Sequence, residues 1–308
     1  MADPVVRLDS FDPARGARSF RFGGPRRVLR ADRLDEVVPL LVEVERAAAD
    51  GLHAVGFVAY EAAPAFDPAL AAHPPDPRLP LAWFALYAER EESSPEWDDT
   101  SGDATLGAWE TDTPFAGYRE RVERIREWIA AGDTYQVNFT VRLRAPFAGS
   151  EAALYRRLCL AQRSACCAFL RFGGTAVLSA SPELFFRWSG GELELRPMKG
   201  TRPRGRWPEE DERLAAELTA SAKERAENLM IVDLLRSDAG RVATFGSVRV
   251  ERLFEVERYE TVHQLTSTIR ARTPPETRLA DVFRALFPCG SVTGAPKVHT
   301  SELITRVE

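Results

Sequence analysis

The segment that most constrains the fold runs AKERAENLMIVDLLRSDAGRV, from Ala222 to Val242. Its first turns carry Glu224 and Glu227, three residues apart and therefore on one helix face. Leu229, Met230, Ile231, Val232, Leu234 and Leu235 follow, with only Asp233 between them. A helix apolar on nearly every side is buried, so other layers must cover it. The chain supplies them as β-prone runs at Tyr135 to Leu143, Cys167 to Phe172, Ala176 to Trp188, Glu192 to Met198, Ser247 to Glu257 and Thr261 to Ala271. These do not alternate regularly with helical stretches, which disfavours a doubly wound parallel sheet. The spacing predicts an α+β fold, with antiparallel β-sheets covered by helices.

Three regions are expected along the chain. Residues 1–90 form an N-terminal region that packs on the core. In it, Leu34, Val37, Val38, Leu41 and Val44 recur at helical spacing over Arg33 to Ala49, Gly51 ends the helix, and Val55 to Ala62 reads as a strand. Residues 91–114 are acidic and rich in Ser, Asp, Gly and Pro, the composition of a surface linker. Residues 115–308 open on a helix with Thr113 as N-cap, Pro114 as first residue, an apolar stripe of Tyr118, Val122, Ile125 and Ile129, and Gly132 as its close. A long helix is predicted over Pro208 to Leu235, and further helices over Ala280 to Leu286 and from Pro296.

Composition removes several functions. A formal net charge of -5 repels phosphate backbones, so nucleic acid is not an expected partner. No apolar run approaches the roughly 20 residues of a spanning helix, and MADPVVRLDS lacks the basic and apolar parts of a signal peptide. The expectation is a cytoplasmic protein with no membrane partner. Vicinal Cys166 and Cys167 lie in an apolar run and read as buried reduced thiols. The four histidines are scattered, against a zinc site.

Five places could carry chemistry. Glu224 and Glu227 stand where a solvated surface gives way to core; a paired set of carboxylates there is either joined by a hard cation such as Mg2+ or is an ordinary charged turn beside Lys223 and Arg225. Pro182 implies an edge or bulge that would aim Glu183 out of its sheet, between apolar neighbours that favour a protonated acid; the alternative is a solvent-facing strand glutamate. Lys199 ends a strand ahead of Gly200 and is either a nucleophile beside a partly dry pocket or a surface turn lysine. In FPCGSVTGAPK, Gly290 and Gly294 make a loop before a helix start suited to an anion, though the spacing is not that of a P-loop. His263 lies in a β-prone stretch where packing and catalysis are both open.

The order of these pieces decides among them. GDTYQVNFT, SASPELFFR, PMKGTRPRG, AKERAENLMIVDLLRSDAGRV, TVHQLTSTI and FPCGSVTGAPK, in that sequence, resemble the chorismate-utilising enzymes of the anthranilate synthase component I type. The resemblance covers residues 115–308 and implies chorismate as substrate and Mg2+ as cofactor. It implies Glu227 as a metal ligand with Glu224 supporting it, Glu183 as the acid that helps the C4 hydroxyl leave, and His263 near the reacting ring. Gly200, Thr201, Thr293 and Gly294 match contacts to the substrate. Within the family, anthranilate synthases usually place alanine where this chain reads Pro197-Met198-Lys199-Gly200-Thr201, and aminodeoxychorismate synthases place lysine. The resemblance therefore implies amination at C4, on the way to p-aminobenzoate and folate, through attack of Lys199 on C2. The ammonia would come from a glutamine amidotransferase, separate or fused. Gln136 stands where the water-using branches carry a lysine, which disfavours water as nucleophile.

Three positions depart from the pattern. Ser237 replaces a common asparagine, Cys289 replaces a common glycine, and the sequence stops at Glu308. Family members continue with an arginine, a glycine-rich loop and an E-x-x-E helix. The expectation is a fold missing its C-terminal strands and helix, with exposed apolar surface. Anthranilate synthase and a non-catalytic fragment are the alternatives.

Overall fold

The structure, a computed structural model, describes residues 4–11, 18–93 and 102–308. Residues 1–3 and 12–17 of the N-terminal stretch and residues 94–101 of the acidic stretch lie outside it. Seven helices occur among the described residues: α1 (Leu34–Ala49), α2 (Phe115–Ala131), α3 (Glu151–Gln162), α4 (Pro208–Ala220), α5 (Ala222–Gly240), α6 (Leu279–Leu286) and α7 (Lys297–Val307).

The sheet that the apolar helix demands is present, but the helix is buried on one face only: Ile231, Val232 and Leu235 face the sheet, while Leu229 and Asp233 are exposed. Val262–Arg272 is the hub of an antiparallel sheet. Along one edge it pairs with Arg249–Arg258; along the other it pairs with Glu192–Arg196 and then Met198–Pro203. Leu184–Ser189 adds the outer strand on Glu192–Arg196. Ile231, Val232, Leu235 and Ala239 of α5 pack on Leu193, Leu195, Ile269 and Ala271 of that sheet, with Val282 and Leu286 of α6 closing the same core. A fully buried Leu or Ile is worth about 1.5–3 kcal/mol, so this layer pair anchors everything built on it.

A second antiparallel sheet runs Thr175–Ser181, Cys166–Phe172, Val5–Asp9, Ser19–Arg21, Glu91–Ser93 in spatial order. Val5–Asp9 is hydrogen-bonded directly to Cys166–Phe172, so the N-terminal region shares a sheet with the later part of the chain. The third sheet, Arg27–Ala31, Ala82–Tyr87 and His53–Val58, is covered by α1.

Several local expectations are corrected. The long helix breaks at Ser221, which caps the end of α4 and whose Oγ accepts from the Glu224 N–H to start α5. The Ala176 to Trp188 run is two strands separated at Pro182 and Glu183. Of Tyr135 to Leu143, only Gln136–Val137 and the end at Leu143 are in strands. Val55 to Ala62 leaves its strand at Val58 and enters a 3-10 turn, Tyr60–Ala65. Pro114, not Thr113, is the N-cap of α2, and of the apolar stripe only Ile125 is buried; Tyr118 stacks on Phe139 with centroids 5.6 Å apart. Cys166 is exposed while Cys167 is buried, because successive strand residues face opposite sides. The acidic stretch is not wholly outside the sheets: Ala104–Leu106 pairs with Phe147–Gly149, and Glu110–Thr111 with Leu143–Arg144.

Candidate active site

Two residues of one strand oppose a single residue of the other where Met198–Pro203 meets the hub strand. Met198 pairs with Thr266 and Thr201 with Gln264, leaving Lys199 and Gly200 against Leu265. Such a bulge bends the strand and re-aims a side chain. Gly200 makes it possible: its φ is +102, and a Cβ there would lie 3.2 Å from Glu224 Oε2 and from Leu265 Cβ.

Freed by the bulge, Lys199 reaches across to the loop before α7, where its Nζ donates to the Ser291 carbonyl at 3.0 Å. The chain holds only three lysines against 38 arginines. Arginine serves this protein almost everywhere a cation is wanted.

Glu183 faces the same loop. The Ser181 hydroxyl accepts from the Glu183 N–H at 3.2 Å and fixes the turn that separates the two strands. Burial pushes the Glu183 carboxyl above its ordinary range; the Ser291 hydroxyl, the Lys199 charge and the Met198 backbone pull the other way. Glu183 Oε1 is buried with no hydrogen-bond partner. A carboxyl raised by desolvation and holding a spare oxygen is suited to deliver a proton. It lines a cavity of about 270 Å3 with Tyr60, Phe185, Phe287, Cys289 and Ser291. Burial raises both the Cys289 thiol and the Tyr60 phenol, the latter to about 12, so both are neutral walls. A larger cavity, about 640 Å3 between Arg163, Arg204 and Glu260, contains none of the residues singled out from sequence.

The α5 carboxylates stand behind the bulge. Glu224 is buried against Gly200 and pairs with Arg202 at 3.3 Å; Glu227 is half-buried one turn further on. No group of three or more His, Cys, Asp and Glu is arranged to hold a metal among the described residues. Two oxygen donors on one helix face, with a glycine cradle against one of them, fit Mg2+, which keeps waters and takes substrate oxygens rather than filling an all-protein cage.

The other expected residues have different surroundings. Thr293 is fully buried; its hydroxyl donates to the Cys289 carbonyl at 2.7 Å and its carbonyl accepts from the Asn138 N–H at 2.8 Å. Gly294 has φ +147, and a Cβ would sit 2.1 Å from the Gln136 carbonyl, so glycine is needed for the close strand approach. Both shape the loop that presents Ser291. Thr201 is exposed and donates to Gln264 Oε1 at 3.0 Å. His263 is fully buried with its Nε2 2.8 Å from Asp211 Oδ1, a network apart from Glu183 and Lys199. Lys297 pairs with Asp238 at 2.6 Å and donates to the Leu286 carbonyl, so it anchors the loop and is not free for a phosphate.

Sequence reasoning passed over Ser291, Asp211 and Asn228. The signal for Asn228 was available: a single amide in a run of apolar residues on a helix that must be buried. Ser291 and Asp211 had no comparable mark.

Fold and site together bring a buried acid, Glu183, and an amine, Lys199, to one loop beside a small cavity. The match to the chorismate binding enzyme family spans residues 13–308, and the chain belongs to that family. It is 44% identical over 222 residues to aminodeoxychorismate synthase component 1 of Escherichia coli (strain K12), covering 72% of this chain and 48% of the relative. Aminodeoxychorismate synthase of Streptomyces pristinaespiralis is 49% identical over 62% of this chain and 27% of its own length. The chain thus spans about half the length of the first relative and about a quarter of the second. The crystal structure of anthranilate synthase component I from Streptococcus pneumoniae TIGR4 superposes with a TM-score of 0.81 at 25% identity, over 95% of this chain and 77% of that one. No helix among the described residues is long and apolar enough to cross a membrane.

Proposed function

We propose that the protein aminates chorismate at C4 as an aminodeoxychorismate synthase component I, with Lys199 as nucleophile and Glu183 as general acid. The observation that carries the reading is the convergence of Lys199 Nζ and the raised, under-bonded Glu183 carboxyl on Ser291. The similarity to relatives bearing that name supports it.

In this reading the Lys199 amine attacks ring carbon C2. A C2–N bond forms, the ring double bonds shift, and the C4–O bond breaks. Glu183 gives its proton to the departing hydroxyl, which leaves as water. The carboxylate left behind takes the proton released by the new C–N centre. Ammonia from a glutamine amidotransferase then attacks C4, the double bonds shift back, and the C2–N bond to Lys199 breaks as Glu183 returns its proton to the departing nitrogen and recovers one from the new C4 ammonium. Covalent catalysis divides one difficult displacement into two easier ones. Glu227 and Glu224 would hold Mg2+, which supplies neutralising charge for a substrate carboxylate.

The test is Lys199→Ala assayed with chorismate, Mg2+ and ammonium salt, with products separated by mass and fluorescence. The expected loss of 4-amino product is at least about 10³-fold, the scale seen when a covalent nucleophile is removed. Amination at C2 by the wild-type protein would favour the anthranilate reading instead.

A further inference from the structure

A single buried side chain takes up the carbonyl of the bulged Lys199. Asn228, in α5, has no exposed surface. Its Nδ2 donates to the Lys199 carbonyl at 3.3 Å and to the Leu265 carbonyl at 3.0 Å, the two sides of the bulge. Its Oδ1 accepts from the Ser267 hydroxyl at 2.7 Å. Ser267 Oγ in turn accepts from the Phe254 N–H at 3.2 Å, which commits the hydroxyl hydrogen to Asn228. The amide orientation is therefore dictated: turned over, its oxygen would face two carbonyl oxygens.

Phe254 is itself in a second irregularity, on the opposite edge of the hub strand. Its φ is +58, and the register of Arg249–Arg258 shifts between Arg252 and Glu255. A non-glycine residue at positive φ is strained and persists only where its surroundings hold it. The chain Phe254 N–H, Ser267, Asn228, Lys199 carbonyl thus ties one bulge to the other across the sheet.

A buried amide is costly to desolvate unless its valences are used. An apolar residue at position 228 would suit the core and avoid that cost. What asparagine supplies is a pair of donors that hold the Lys199 and Leu265 carbonyls together across the bulge. We propose that Asn228 is a positioning residue: it locks the Lys199–Gly200 bulge so that the Lys199 side chain is directed at Ser291, opposite Glu183. The role in turnover rests on Lys199 as nucleophile; the role in aiming Lys199 does not.

The three-lysine composition makes the test direct. The chain is labelled with acetic anhydride at one pH, and rates are read per lysine from peptide masses. Lys223, with its side chain 83% exposed, is the fast reference, and buried Lys297 reports the integrity of the core. Asn228→Asp keeps the shape and removes both donors. It is expected to raise Lys199 labelling relative to Lys223 by about ten-fold, the effect of a lost pair of buried hydrogen bonds, with Lys297 still protected. Ser267→Ala, a milder change that leaves Asn228 in place, is expected to raise it about three-fold and serves if the Asn228 variant does not fold. Unchanged Lys199 labelling in the folded variants overturns the proposal. With chorismate, Asn228→Asp is expected to lower kcat with KM nearly unchanged. A wild-type chain that does not turn over chorismate counts against the proposed function, while the labelling result still decides the role of Asn228.

Discussion

Two largely buried carboxylates, Glu183 in the turn between Thr175–Ser181 and Leu184–Ser189 and Asp211 in α4, are treated in opposite ways. Asp211 accepts from Arg204 Nε at 2.7 Å and Nη2 at 3.0 Å, from the Gly205 N–H at 2.8 Å, and lies 2.8 Å from His263 Nε2. The Arg204 guanidinium, seconded by the Gly205 N–H, holds it well below the usual carboxylate range. Glu183 has one oxygen with no partner, and burial drives it up. A saturated carboxylate is fixed in charge and joins elements together; an under-bonded one has proton affinity left to use. Groups whose environments push their pKa values apart mark the division between structural and chemical roles.

The largest expected effect comes from removing the under-bonded member. Glu183→Gln keeps the shape and loses the proton, and the rate with chorismate and ammonium should fall by about 10²–10⁴-fold, the contribution of a positioned general acid. Because the acid must be protonated, the wild-type rate should decline as pH rises through the raised Glu183 pKa, and a pH–rate profile of kcat/KM should lose that limb in the variant. A profile that keeps it places the proton elsewhere.

A second carboxylate pair sharpens the contrast. Glu227 is half-buried one turn along α5, whereas Glu224 lies against Gly200 and is engaged by Arg202. Replacing a carboxylate by an amide weakens a hard-cation site, and Glu227→Gln should raise the Mg2+ concentration for half-maximal activity at least about ten-fold, on the scale of losses at metal sites. Glu224→Gln should raise it less. Equal Mg2+ response in the wild type and Glu227→Gln would remove that residue from the metal site.

The smallest effect on rate, and the clearest on stability, belongs to Asp211. Its folded pKa is depressed, so between that value and the unfolded one, about 3.9, the unfolded chain binds the extra proton. Its contribution to stability is present above the unfolded pKa and is lost as pH falls through the folded one. For Glu183 the sign is reversed: the folded chain binds the extra proton above about 4.3, so stability falls as pH rises towards the folded pKa. Melting curves across that range should show Asp211→Asn lowering Tm by several degrees near neutral pH and flattening the acid limb. Glu183→Gln should leave Tm unchanged or higher. Identical profiles for the two variants would break the comparison.

Much of this was legible in the chain, and the remainder has physical causes. The apolar turns from Leu229 to Leu235, broken only by Asp233, required a covering layer, and alternation in the runs around them marked strands; both are properties of contiguous sequence. The break at Ser221 was hidden because helical residues continue on both sides and only the cap hydrogen bond shows it. The strand expected over Tyr135 to Leu143 has the right residues, but apart from the pairs at Gln136–Val137 and Leu143–Arg144 it finds no strand partner among the described residues. In the site, Pro182 announced that Glu183 leaves its strand, whereas Lys199 and Gly200, expected just past a strand end, sit in a bulge inside Met198–Pro203. Ser291 contributes a backbone carbonyl and a hydroxyl that converge through tertiary folding, and the fate of Asp211 depends on Arg204 and His263, the latter 52 residues away. Such convergence leaves no local mark.

The central claim is that Lys199 forms a bond to the substrate ring. The most direct measurement is the peptide mass map of the wild-type chain incubated with chorismate and Mg2+ in the absence of ammonia, then quenched in acid. The account predicts a chorismate-minus-water increment on the Lys199 peptide, absent from the Lys223 and Lys297 peptides and discharged when ammonium is added before the quench. An unmodified Lys199 peptide from a chain that still converts chorismate and ammonia to the 4-amino product would contradict it.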